Sequence, residues 1–137
     1  MLESLSLDGV SVVITGGGTG LGRAMVRDMA RAGANLVIAG RRTGPIEEAA
    51  EEAISLGVDA TFVATDVTDS AQVASLMKTC LDRFGKIDVL LNNAGAVSDN
   101  VRKPIWEHTD EEWDRIMQVN LSGAFYCARE VSQTMVA

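Results

Sequence analysis

Short apolar runs alternating with longer amphipathic stretches constrain this chain more than any other feature. The runs are Val10 to Thr15, Asn35 to Gly40, Ala60 to Ala64 and Ile87 to Asn92, mostly rich in Val, Ile or Leu on both faces. Strands read this way in a parallel sheet covered by helices on both sides. The first intervening stretch puts Leu21, Ala24, Met25, Met29 and Ala32 on one helical face. The second opens at Gly44-Pro45, where proline suits the first helical turn. The third opens at Asp69, a capping carboxylate with Gln72 three residues on. Gly33, Gly57 and Gly85 stand where these three helices should end. A fourth helix opens at Thr109, with Glu112 in the capping-box position, and runs toward the end of the chain. The order β-α-β-α-β-α-β-α predicts an α/β fold, an open doubly wound parallel sheet with strand order 3-2-1-4. The last helix has no following strand, so the sheet is expected to be incomplete on its C-terminal side.

Between the first run and the first helix lies Thr15-Gly16-Gly17-Gly18-Thr19-Gly20-Leu21-Gly22. A diphosphate can rest on a helix N-terminus only where backbone N–H groups approach it without side chains in the way. Gly16 can make the tight turn, Gly20 can admit the ligand to the backbone, and Gly22 can let the helix pack closely on the sheet. The spacing is not GxGxxG, because the final glycine position holds Leu21 or Arg23, and no Gly-Lys follows as in a Walker loop. It is T-G-x-x-x-G-x-G. This pattern resembles the short-chain dehydrogenase/reductase family; the extended sugar-epimerase branch would have glycine where Thr19 stands. The resemblance implies a Rossmann-like dinucleotide-binding half-domain over residues 1–137. Gly16, Gly18, Thr19, Gly20, Leu21 and Gly22 would then line the cofactor. A glycine-rich turn without a ligand is the bland alternative.

In a Rossmann unit an acid at the end of the second strand binds the ribose 2′-hydroxyl of NAD. Here Gly40 occupies that place and Arg41-Arg42 follow. A guanidinium can pair with a 2′-phosphate through charge-assisted bonds. NADP is therefore the expected cofactor, with NAD possible, and Arg41 the main contact beside Arg42. The alternative is a pair of solvated arginines.

Asp66-Val67 follows the third run at the same sheet edge. The resemblance implies that Asp66 bonds the adenine amino group and that the Val67 backbone assists; otherwise Asp66 is a turn carboxylate. Asn92-Asn93-Ala94-Gly95 ends the fourth run and matches the family's string at the cofactor crevice. Asn93, Ala94 and Gly95 are candidate contacts, and Asn93 can equally serve the sheet by bonding backbone across it.

On the fourth helix Trp113, Ile116, Met117, Leu121, Ala124, Ala128, Val131 and Met135 share a stripe of 3.6-residue period. Asn120 falls inside it, where an unpartnered amide would cost roughly 1–3 kcal/mol. The resemblance implies that Val119-Asn120 carries the catalytic asparagine, which interrupts the helix and whose carbonyl holds a relay water. The alternative is a core amide bonded to nearby backbone. Val119 and Tyr126, on the opposite face, point to a helix–helix contact, within the chain or between subunits.

The family's hydride transfer between nicotinamide and a small carbonyl or alcohol uses a serine, and a tyrosine with a lysine four residues later. The single tyrosine here, Tyr126, is followed four on by Glu130, which would raise a tyrosine's pKa. The resemblance covers only about the first half of a family domain, so the sequence is expected to be part of a longer protein. Residues 1–137 alone are expected not to turn over. A nucleotide-binding module without turnover, as a truncated pseudoenzyme or complementing subunit, is the rival reading.

The remaining features are quieter. An apolar content of 47% argues against disorder, and a net charge of −7 disfavours nucleic acid or anionic membranes as partners. No run is long enough for a membrane span, and Met1 to Leu5 shows no basic start of a signal peptide. Cys80 and Cys127 form no CxxC pair, and no metal-ligating cluster is read, so a cytoplasmic setting is expected. His108 reads as surface. Asp110, Glu111, Glu112 and Asp114 suit the positive end of a helix. The family also implies a homo-oligomer, dimer or tetramer.

Overall fold

The computed structural model describes residues 5–137. The N-terminal reading that rests on residues 1–4 lies outside the described residues.

Four strands form one parallel sheet in the order β3-β2-β1-β4: β1 (Ser11–Thr15), β2 (Asn35–Gly40), β3 (Ala60–Ala64) and β4 (Val89–Leu91). In register, Ile14 lies between Ile38 of β2 and Leu91 of β4. The central strands are buried on both faces. Val12, Ile14, Leu36 and Ile38 meet α1 (Gly20–Arg31) and α2 (Thr43–Ser55). Val13, Val37 and Ala39 meet α3 (Ser70–Phe84) and α5 (Ala124–Met135). Helices on both faces make the sheet doubly wound, as the patterning predicts. The outer strands are only partly covered, and β4 is shorter than the Ile87–Asn92 run.

Gly33, Gly57 and Gly85 follow α1, α2 and α3 with φ of +100, +99 and +76°. Asp69 caps α3 by accepting from the N–H groups of Ala71 and Gln72 at 2.9 and 3.3 Å. Gln72 does not complete a reciprocal box; its Oε1 accepts from the Asp66 N–H at 2.8 Å and so fixes the turn after β3.

Two helical faces differ from expectation. In α1 the buried line is Gly22, Val26 and Ala30, one residue every turn, while Leu21 is 68% exposed. Close packing against the sheet selects the small residues, and Met25 and Met29 flank them half-buried. The fourth helix is not one helix. It comprises α4 (Asp110–Met117), a π-helical turn (Gln118–Gly123) and α5. The wider turn slips the helical phase, so the 3.6-residue stripe does not carry through. The face on the core runs through Val119, Tyr126, Cys127 and Val131. Trp113, Leu121 and Met135 are exposed, and α4 has no buried residue. Val119 and Tyr126 pack, partly buried, against the core of the chain. Cys80 and Cys127 are core residues, and burial pushes both thiols up to about 11.

Candidate functional site

The C-terminal ends of the parallel strands converge on a cavity of about 410 Å³, a volume suited to a small ligand. Its lining joins the glycine turn to the loops after the strands: Gly16, Gly18, Thr19, Arg41, Arg42, Asp66, Val67, Ala94 and Gly95. Nine of the candidate residues therefore meet in one place although Gly16 and Gly95 stand 79 positions apart in the chain. Gly20, Leu21, Gly22, Asn93 and Asn120 lie outside the lining.

The turn is built by backbone geometry. Gly16 has φ +66°, and a Cβ there would lie 2.9 Å from Ala94 Cα, so both conformation and space require glycine. Gly20, the first residue of α1, has φ +54° and open space where a Cβ would point. The first N–H groups of a helix have no partner within it, so this space is an approach to unpaired donors at the positive end of α1. Gly22 does a different job. A Cβ on it would overlap the Gly16 carbonyl oxygen and lie 2.5 Å from Asn93 Nδ2, so it sets how closely α1 meets the sheet.

Thr15 and Asn93 hold the turn from below. Buried Thr15 Oγ1 accepts from the N–H groups of Asn93 and Ala94 at 3.1 and 3.0 Å and donates to the Leu91 carbonyl at 3.3 Å. Asn93 Nδ2 donates to the carbonyls of Thr15 and Gly16 at 3.1 and 3.0 Å. Asn93 thus bonds backbone across the sheet, and the string Asn93-Ala94-Gly95 is fixed against the glycine turn.

At the far wall Arg41 and Arg42 are exposed, and among the described residues neither has an ion-pair partner. Arg23, by contrast, is engaged: its Nε donates to Glu52 at 2.7 Å and its Nη1 to the Pro45 carbonyl at 3.2 Å, tying α1 to α2. Asp66 Oδ1 accepts from both the N–H and the hydroxyl of Thr68, at 2.9 and 2.7 Å. These bonds, with a smaller contribution from nearby Arg41, hold its carboxyl below the ordinary carboxylate range. The turn role considered for Asp66 is real, and the residue still lines the cavity.

Asn120 sits in the π-helical turn and is exposed rather than buried in an apolar stripe. Its amide clamps one peptide group: Nδ2 donates to the Ala96 carbonyl at 2.8 Å and Oδ1 accepts from the Ala96 N–H at 2.6 Å. Two further side chains continue this line. Arg115 donates to the Val97 carbonyl at 3.1 Å, and Glu112 accepts from the Ser98 hydroxyl. Thr109 Oγ1 caps the Glu112 N–H at 3.2 Å, but the Glu112 carboxylate does not reach back to Thr109. It also meets Lys103 Nζ at 3.3 Å and His108 Nδ1 at 2.8 Å. These partners, the Ser98 bond above all, hold its carboxyl down at about 2. His108 is therefore not a free surface residue; its Nε2 also lies 3.2 Å from the Lys103 carbonyl oxygen.

The lining includes residues not expected as contacts, Ala39, Pro45, Ile46, Thr65 and Val119, together with Gly40, which stands where an acid would meet the ribose. Pro45-Ile46 was detectable in principle, since the first turn of α2 follows closely on the end of β2. Thr15 carried a signal as the one hydroxyl ending an apolar strand.

Residues 11–137 match the model of the short chain dehydrogenase family. An uncharacterized oxidoreductase of Thermotoga maritima is 38% identical over 130 residues, covering 95% of this chain and 50% of the relative. A short-chain type dehydrogenase/reductase from Mycobacterium marinum superposes with a TM-score of 0.91 at 31% identity, covering 99% of this chain and 54% of that one. A xylitol dehydrogenase solved with NAD+ bound superposes at 0.89 with 28% identity, covering 94% of this chain and 49% of that one. The chain spans about half the length of the curated relatives it matches.

Proposed function

The chain belongs to the short-chain dehydrogenase family, and on that footing we propose that the whole protein is an NADP-preferring oxidoreductase acting on a small carbonyl or alcohol. The observation that carries the dinucleotide reading is the glycine turn, with Gly20 at φ +54° facing open space at the start of α1. A diphosphate fits there, because the approach is free of side chains and the helix terminus is positive. When bound, the nicotinamide supplies or accepts the hydride.

The chain's own residues bind and orient. Gly16, Gly18, Thr19, Gly20, Leu21 and Gly22 shape the diphosphate seat. Arg41, with Arg42 beside it, pairs with a 2′-phosphate, favoured by the lack of a carboxylate at Gly40. Asp66 accepts from the adenine amino group, aided by the Val67 backbone. Asn93, Ala94 and Gly95 flank the ribose. Asn120 is a positioning residue here: its side chain fixes the Ala96 peptide, and its place in a π-helical turn suits a carbonyl that holds a relay water.

The test is a titration of the protein with both nucleotides. NADP is expected to bind at least about tenfold more tightly than NAD, the equivalent of one charge-assisted contact. NAD binding as tightly as NADP would overturn the preference.

For the 137-residue polypeptide by itself we infer nucleotide binding without turnover. Tyr126, the one tyrosine in the sequence, packs on the core of the chain and is followed four residues on by Glu130 where the family's motif has a lysine. Oxidation of NADPH by purified residues 1–137 with a carbonyl substrate would contradict this. We read the whole protein as a cytoplasmic homo-oligomer, dimer or tetramer. Among the described residues no helix is long and apolar enough to cross a membrane.

A further inference from the structure

Gly40 ends β2 on the cavity wall, next to Arg41 and Arg42. Its backbone does not require glycine, for it is not among the positive-φ residues. Space does. A Cβ at position 40 would lie 2.8 Å from Ile46 Cγ2, closer than real Cβ atoms come to a neighbour. Ile46 is poorly placed to yield. It is 1% exposed in the core between the sheet and α1–α2. A β-branched residue in a helix is held to essentially one χ1 rotamer. The turn that carries it is fixed by the bond from Arg23 to the Pro45 carbonyl. The same methyl group would lie 3.1 Å from a Cβ at Gly18.

We propose that Ile46 determines nucleotide specificity by keeping position 40 free of a side chain. This rests on the NADP reading above. An acid at the end of β2 accepts hydrogen bonds from a ribose 2′-hydroxyl and would repel a 2′-phosphate. While Ile46 Cγ2 occupies its present place, no residue with a Cβ sits at position 40 unstrained. Position 40 therefore adds no carboxylate beside Arg41. The atom responsible is the methyl branch at Cβ, not the volume of the side chain.

Two measurements on the protein test this. The first is thermal stability of Gly40→Ala in three backgrounds: native, Ile46→Val, which keeps Cγ2, and Ile46→Leu, which moves the branch outward at equal volume. Gly40→Ala is expected to lower Tm in the native and Ile46→Val backgrounds, and to leave Tm unchanged or raised with Ile46→Leu. The second is the ratio of NADP to NAD affinity, by direct titration, for Gly40→Asp alone and with Ile46→Leu. The double variant is expected to move at least about tenfold further toward NAD than the single one. A Gly40→Asp protein that folds only in the Ile46→Leu background supports the proposal equally. Equal Tm effects of Gly40→Ala in all three backgrounds would overturn it, as would a ratio shift by Gly40→Asp as large alone as with Ile46→Leu. Failure of the NADP reading is read separately, from the native protein binding both nucleotides alike; the Tm pattern still decides whether Ile46 excludes a side chain.

Discussion

Asn93 donates its side-chain amide to the carbonyls of both Thr15 and Gly16, at 3.1 and 3.0 Å, and so ties the end of β4 to the turn that opens the site. One amide satisfies two carbonyls at the point where the chain leaves the sheet. Replacement by alanine leaves both without that donor. Asn93→Ala is expected to lose about 1–3 kcal/mol of stability and to weaken dinucleotide binding as the turn relaxes. Urea unfolding and a nucleotide titration check it; unchanged values in both would show that the staple is dispensable.

Gly22 sets the distance between α1 and the sheet, because a Cβ there would overlap the Gly16 carbonyl oxygen. Gly22→Ala is expected to cost at least about 1–3 kcal/mol, the range for overpacking a tight contact, and to lower Tm. A calorimetric scan showing an alanine variant as stable as the parent would mean that α1 has room to move.

Arg41 borders the cavity close enough to Asp66 to lower its pKa. Arg41→Ala is expected to weaken NADP binding by about 1.5–3 kcal/mol, the range for a bond to a charged group, and to leave NAD binding nearly unchanged. Equal losses for both nucleotides would assign Arg41 a general role instead of one at the 2′-phosphate.

The fold and the glycine turn were legible for local reasons, and the misreadings share a physical cause. Val12 and Leu36 on one face and Val13 and Val37 on the other are all buried, so their strands could be read without knowing the partners. Gly16 and Gly22 were legible because the chemistry of a backbone-lined turn is written in glycine spacing. Leu21 misled because hydrophobicity alone does not reveal that α1 seats on Gly22, Val26 and Ala30. The π-helical turn was invisible to a constant period, so Leu121 was assigned to the core and Tyr126 away from it. Ile46 was missed because its closeness to Gly40 and Gly18 is set by how α2 docks on the sheet, and the His108–Glu112 pair because Ser98 and Lys103, which complete it, come from the segment after β4.

Glu112 gives the segment after β4 an acid sensitivity. Its carboxyl is held at about 2 in the folded chain, against an ordinary value of 4.5. A depressed carboxylate stabilises fully above its unfolded pKa and loses that contribution as pH falls through the folded value. The tie to Ser98, Lys103 and His108 is therefore expected to weaken between about pH 5 and pH 2. Hydrogen exchange should show the 98–108 segment opening over that window. Glu112→Gln should open it already at pH 6 and flatten the dependence. A variant with the parent's pH profile would place the sensitivity elsewhere.

The most direct test concerns the open approach at Gly20. Asparagine tolerates a left-handed backbone better than other side chains, and the space in front of Gly20 is empty. Gly20→Asn should therefore fold, with circular dichroism and Tm close to the parent's, while placing a side chain across the start of α1. Titration with NADP is expected to show affinity reduced by about a hundredfold or more, roughly 2.8 kcal/mol. A folded Gly20→Asn protein that binds NADP as tightly as the parent would contradict the seating of a diphosphate at this turn.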